Sequence, residues 1–145
     1  MEPIRFSKWK GPGGIENYII EQTGCRPYSG AGINPRINKK TTILKSVDDT
    51  DYYDDDMNDI NNPKYTLFGQ NGDQTETEKR LNEPLLNKNK TEHIYLYRVK
   101  KTGIQIEYLW YGKYEIHEKN NKQHPGMDKN TRKIIVLSLK RVFPE

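Results

Sequence analysis

The chain has 145 residues, 32% hydrophobic and 30% charged, with a net charge of +4 and ten Tyr. No run approaches the ~18 apolar residues of a membrane span, no signal-peptide core stands near the N-terminus, and the single Cys25 excludes an internal disulfide. The expectation is one soluble, intracellular, monomeric domain over residues 1–145, with no membrane partner.

Residues 1–22 read as an N-terminal extension that packs on the body, with a turn at Gly11–Gly14 and a helical turn or edge strand over Ile15–Ile20. Gly and Pro recur from Gly24 to Pro35, which predicts an ordered loop. Thr41–Val47 is β-branched and predicts a strand. The next segment is acidic. Between Asp48 and Asp59 lie seven Asp and no Lys or Arg, so the rest of the chain carries 24 basic against 13 acidic residues, a net +11. A basic body with one acidic loop fits a phosphate-backbone binder that carries a carboxylate site. Abundant Lys and Asn fit an AT-rich genome equally well.

Tyr65–Phe68 predicts a short strand that ends in a turn over Gly69–Gly72, and Glu76–Leu86 has helical spacing that Pro84 limits. Ile94–Val99, Ile104–Trp110 and Ile134–Leu139 predict strands, with a hairpin turn at Lys101–Gly103 between the first two. Tyr114–Ile116 reads as a further short strand and Asn120–Asn130 as a polar loop. The pattern is an α+β fold, a mostly antiparallel twisted β-barrel with one or two flanking helices.

Enzymatic motifs find little support. Asp54, Asp56 and Asn58 match the first ligand positions of a calcium loop, but Asp59 replaces its Gly and Tyr65 its bidentate Glu. His93, His117 and His124 have no metal-finger spacing, and Cys25 beside Arg26 lacks a base. No phosphate-binding glycine loop or nucleophile elbow is present. The expectation is a protein that is not an enzyme and needs no metal or cofactor.

The remaining constellation is aromatic and acidic: Tyr52-Tyr53-Asp54-Asp55-Asp56, then Tyr65-Thr66. Two Tyr on adjoining loops can sandwich a base, and a carboxylate between them can accept from the cytosine amino group while repelling the thymine carbonyl. A base is reachable in this way only outside the stack, so the chemistry implies flipping. Solvated acidic surface is the competing reading of the same residues.

In order along the chain, several motifs resemble the SRA (YDG) domain family, which reads 5-methylcytosine and related bases by flipping them out of duplex DNA. Arg26-Pro27, Gly32-Ile33 and Arg36 are similar to that family's R-P-H-x-x-G-I-x-x-R, and Thr42-Ile43-Leu44 to its next strand. Tyr53–Asp56 resembles Y-E-D-D, Tyr65-Thr66 the Y-T-G, Asn82 with Leu85-Leu86 the N-x-A-L helix, and Trp110–Tyr114 the Y-D-G-x-Y. The resemblance implies a PUA-like barrel, a stacking pair of Tyr53 and Tyr65, Asp56 as reader of the base edge, and Tyr52 and Thr66 lining the pocket. It implies DNA contacts from Arg36, Lys39, Lys40, Gln70, Gln74, Lys79 and Arg80. The implied partner is double-stranded DNA holding 5-methylcytosine or 5-hydroxymethylcytosine, in the nucleus of a eukaryote or the cytoplasm or nucleoid of a bacterium or virus. The alternative is the recognition part of a modification-dependent nuclease, or a base-processing enzyme, with a separate nuclease or chromatin partner. Leu67 stands where the family has Gly after Y-T, and Gly69–Asn82 is shorter than the mammalian finger that fills the vacated base position, so strict CpG reading is not implied.

Overall fold

Alternation along the central strands divides their apolar side chains between two clusters. In the computed structural model, which describes residues 2–28, 30, 32–48 and 50–142, the strands are β1 (Ile4–Phe6), β2 (Ile33–Arg36), β3 (Thr41–Val47), β4 (Lys64–Thr66), β5 (His93–Thr102), β6 (Gln105–Pro125) and β7 (Thr131–Arg141). They join one sheet in the order β2-β3-β5-β6-β7-β4, with β1 on β6. Leu44, Leu96, Leu109 and Leu137 enter one cluster, while Ile43, Tyr97, Val99 and Trp110 enter the other. Asp49, one of the acidic-run aspartates, lies outside the described residues, as do Met1 and residues 143–145.

The second cluster is covered by helix α1 (Ile15–Thr23), whose Ile15 and Ile19 are fully buried at helical spacing. The chain therefore resolves the open choice at 15–20 in favour of a helix, and β1 ties the N-terminal segment to β6 through Ile4↔Trp110. Gly14 begins the helix at a close approach, since a Cβ there would stand 2.5 Å from the Trp9 carbonyl oxygen. Helix α2 (Asn82–Leu86) adds buried Leu85 to the first cluster.

Several expectations need correction. The sheet is not closed into a barrel: β2 and β4 are its two edges, and no backbone pairing joins them among the described residues. The β3–β5 pair is parallel, while the other strand pairs are antiparallel. The helix predicted over Glu76–Leu86 is confined to α2, where Pro84 is accommodated in the first turn because no intrahelical N–H is needed there. The predicted loop over Gly24–Pro35 ends in β2, an edge position where Pro35 costs little. The separate strand at Tyr114–Ile116 and most of the polar loop from Asn120 belong to β6, which runs on to Pro125. Its polar residues there are mostly exposed and paired with the apolar run of β7, so pairing outweighs composition. Among the described residues, 115–125 of β6 pair with β7 alone, so their other edge is open.

A bulge on β6 explains the Trp110–Tyr114 motif. The register passes from Leu96↔Gly112 to Tyr97↔Trp110, which leaves Tyr111 as the extra residue. Gly112 takes φ 114°, a conformation other residues resist. Tyr111 and Tyr114, three positions apart, consequently fall in the same cluster. Their hydroxyls donate to the carbonyls of Met57 (2.8 Å) and Ile60 (2.6 Å), pinning the far end of the acidic segment. Replacing both by Phe should lower stability by about 1–3 kcal/mol, read from the urea midpoint, and speed amide exchange around residues 56–61.

Candidate functional site

A cavity of about 390 Å³ lies between the two edges of the sheet. Ile33, Lys45 and Val47 line it from the β2–β3 side, and Tyr65, Thr66 and Leu67 from β4 and the residues after it. The acidic segment supplies Thr50, Tyr52, Tyr53 and Asp55, and Gln70 and Arg80 stand exposed among its lining residues. Tyr65 spans the cavity's base. Its hydroxyl donates in a shared bond to the carbonyls of Gly32 (2.9 Å) and Lys45 (3.1 Å), so a side chain connects edges that the backbone leaves apart. Burial pushes this phenol well above its ordinary pKa, with Asp55 adding to the effect, and it remains a neutral donor.

Asp55 is the carboxylate turned into the cavity. One oxygen accepts from the Thr66 amide (2.7 Å) and the other from the Ser46 hydroxyl (2.7 Å). A carboxylate has about four lone-pair sites, and with the Thr66 hydroxyl also bonded to Asp55 one remains for a ligand. Burial raises its pKa above the usual carboxylate range, partly offset by these hydrogen bonds. Asp56, the reader implied by the resemblance, does not line this cavity. Its backbone bridges to Lys64 in both directions (2.9 and 2.8 Å), while its exposed side chain accepts from the Asn58 amide. Consecutive residues on extended chain face opposite ways, and the bridge turns Asp56 outward and Asp55 inward.

The structure brings Tyr52, Tyr53, Tyr65 and Thr66 together around Asp55. Tyr52 and Tyr53 meet edge to face, with ring centroids 4.8 Å apart. The Tyr53 hydroxyl accepts from the Gly69 amide, and burial raises its pKa. Thr66 Oγ1 accepts from the Asp54 amide (2.9 Å), fixing the loop above β4. A second, more open groove shares Tyr53 and Asp55 and is bordered by Asp48, Asp54, Asp56 and Arg98. Among the described residues, no group of three His, Cys, Asp or Glu is arranged to hold a metal ion.

The expected DNA contacts divide by position. Gln70 and Arg80 line the cavity, Arg80 lying over the Phe68 ring at 5.2 Å, and Lys79 is exposed beside it. Gln74 is 2% exposed. Its amide donates to the Leu67 and Gly69 carbonyls and its oxygen accepts from the Ile135 amide, so it is a structural residue and not a groove contact. Arg36 stacks on Tyr28 and donates to the Arg26 and Pro35 carbonyls. With Lys39 and Lys40 it lies at the Thr41 end of β3, roughly 20 Å by strand rise from the cavity residue Val47. Those three therefore do not join the pocket.

Sequence reasoning missed Arg132, which sits just before an apolar run with no motif around it. It is 4% exposed and donates to the Tyr52 carbonyl (2.6 Å), to the Gly72 carbonyl (3.3 Å) and to the Gly69 carbonyl. It thus ties the tyrosine segment to the turn after β4. Arg132→Met leaves those acceptors without their donor and should lower stability by about 3 kcal/mol or more, measured by urea unfolding. Asp55 generates a second expectation, in pH. Because its folded pKa is raised, the native state holds the proton more tightly, and stability falls as pH rises from the usual carboxylate range through the raised value. Asp55→Asn lacks this loss, so its stability relative to the natural protein should grow with pH in that window, seen in melts between about pH 3 and 7.

Solved structures with this fold include KRYPTONITE in complex with mCHH DNA, an H3 peptide and SAH, at 15% identity and TM-score 0.64 over 99% of this chain and 32% of that one. The sulfur-binding and SRA domains of ScoMcrA, complexed with phosphorothioated DNA, align at 20% identity and TM-score 0.59, over 98% and 40%. The MspJI restriction endonuclease, with a 27-mer oligonucleotide, aligns at 12% identity and TM-score 0.71, over 97% and 42%. This chain thus spans less than half the length of each of those three. No curated protein sequence matches it. Residues 16–144 match the family described as ScoMcrA-like, SRA domain, and the chain belongs to that family.

Proposed function

We propose that this protein reads modified DNA by holding a flipped, 5-substituted cytosine in the Asp55 cavity, without chemistry on the base. The observation that carries this reading is the inward carboxylate of Asp55, bordered by Tyr52, Tyr53 and Tyr65 and keeping an acceptor site. Such an acceptor matches the exocyclic amino group of cytosine and repels the carbonyl that thymine presents in its place. The volume, about 390 Å³, falls at the small end of ligand pockets and suits one base with a substituent. Tyr53 and Tyr65 remain the stacking candidates, with Tyr52 and Thr66 beside them. Arg80, Lys79 and Gln70 are suited to contact the backbone or groove next to the flipped nucleotide.

The relatives support a DNA partner, because KRYPTONITE was solved with mCHH DNA and ScoMcrA with phosphorothioated DNA. Two of them are described as restriction endonucleases, ScoMcrA as type IV and phosphorothioation-dependent. The second reading follows from this: the chain serves as the recognition part of a modification-dependent nuclease, with cleavage supplied elsewhere. Its place in the cell is then wherever that DNA lies.

A competition assay tests the reading with otherwise identical duplexes bearing cytosine, 5-methylcytosine, 5-hydroxymethylcytosine or N6-methyladenine. The natural protein should prefer a 5-substituted cytosine. Asp55→Asn, which presents a donor to a donor, should lose about 1–3 kcal/mol of that preference. Asp56→Asn should keep it. The reverse pattern returns the reader role to Asp56, and indifference to all four duplexes removes the pocket reading.

A further inference from the structure

We infer that the β5–β6 hairpin is a wedge: its tip enters the duplex beside the pocket, and Ile104 occupies the space that the flipped base vacates. This rests on the pocket reading above and adds the segment that handles the DNA stack. Ile104 is 101% exposed and Ile106 is 43% exposed on the adjoining strand. Gly103 (φ 63°) occupies the first central position of the two-residue turn, which sets Ile104 at the apex of a tight hairpin.

The hairpin is next to the strand that lines the pocket, β3. β3 pairs with β5 up to Val47↔Val99, and Lys100–Thr102 continue beyond it by three residues, roughly 10 Å. Where β3 ends, the Asp48 amide donates to the Val99 carbonyl, and the chain turns into the segment that brings Thr50 and Tyr52 to the cavity. Lys101 is near enough to Lys45, a cavity residue, to lower its pKa, although burial is the larger cause. The ribbon thus lies one strand away from the cavity, paired to the β3 residues that line it, and extends past the end of β3.

Its dimensions and charge suit a duplex. The major groove, about 12 Å wide and 8.5 Å deep, admits a two-stranded ribbon. Lys100 and Lys101 supply positive charge near the tip, while Glu107, opposite Lys100, is held by Arg5 at 3.0 Å. Isoleucine is among the apolar side chains that proteins insert between base steps. Another exposed hairpin tip, at Met127, is less free to enter: the Met127 amide donates to the Gln70 carbonyl and the Asp128 amide to Asn71.

The test compares two forms of one oligonucleotide containing a single 5-methylcytosine, duplex and single-stranded. Ile104 makes no buried contact, so Ile104→Ala leaves the fold intact, which circular dichroism confirms. Ile104→Ala should bind the duplex about tenfold more weakly and reduce the fluorescence rise of a 2-aminopurine placed next to the modified base. Binding to the single strand, where no position in a stack is vacated, should not change, and Ile104→Leu should behave as the natural protein. Unchanged duplex binding by Ile104→Ala, with the modified-cytosine preference intact, overturns the wedge alone. Equal weakening on both forms also overturns it, since that marks an ordinary surface contact. If the natural protein shows no preference for modified cytosine, the pocket reading fails and the wedge falls with it.

Discussion

The hydroxyl of Tyr65 reaches across the open side of the sheet to two carbonyls, and the cavity exists because of that reach. A sheet that closed through backbone pairing would set its edge strands about 4.8 Å apart and leave no room for a ring between them. Here the gap is as wide as a tyrosine side chain, so the floor is a phenol and the walls are strand edges. Gly32 belongs to the same arrangement: a Cβ there would stand 3.2 Å from the Tyr65 oxygen. The ring that maintains the opening also lines it, which couples the width of the pocket to its chemistry.

The second constraint is electrostatic. An aspartate-rich segment on a basic protein is drawn to many places at once, and here it is held at several points. Arg98 grips Asp48 with two hydrogen bonds (2.9 and 3.1 Å), Lys122 pairs with Asp54, and Tyr111 and Tyr114 take the carbonyls of Met57 and Ile60. Asp55 is distinguished from its neighbours by having neutral partners, Ser46 and the Thr66 amide. These contacts bring no cation to it, which under the proposed reading leaves it to meet a ligand's donor.

Much of this was legible in the residues. The β-rich class, most strand positions and the gathering of Tyr52, Tyr53, Tyr65 and Thr66 follow from alternation and ordered motifs. The choice among Asp54, Asp55 and Asp56 was not, because three identical residues carry no directional information. One isolated bridge between Asp56 and Lys64 fixes which of them points inward. The same blindness to pairing hid the far half of β6, whose Asn, Lys and Gln look like loop until the apolar β7 is placed beside them. Gln74 and Arg132 were misread or missed for a related reason. A buried polar side chain bonded to the backbone looks, in sequence, like one displayed to solvent.

The open edge of β6 from residue 115 onward has a colloidal consequence. An unpaired strand of that length is a template on which another chain could add by hydrogen bonding, the first step toward aggregation. Lys119 and Lys122 project from it among Asn and His residues, and both are already engaged, by Glu76 and Asp54. A second copy approaching edge to edge would bury charged and polar groups for little apolar gain. The residues that made this stretch resemble a loop are the ones that make such an addition costly.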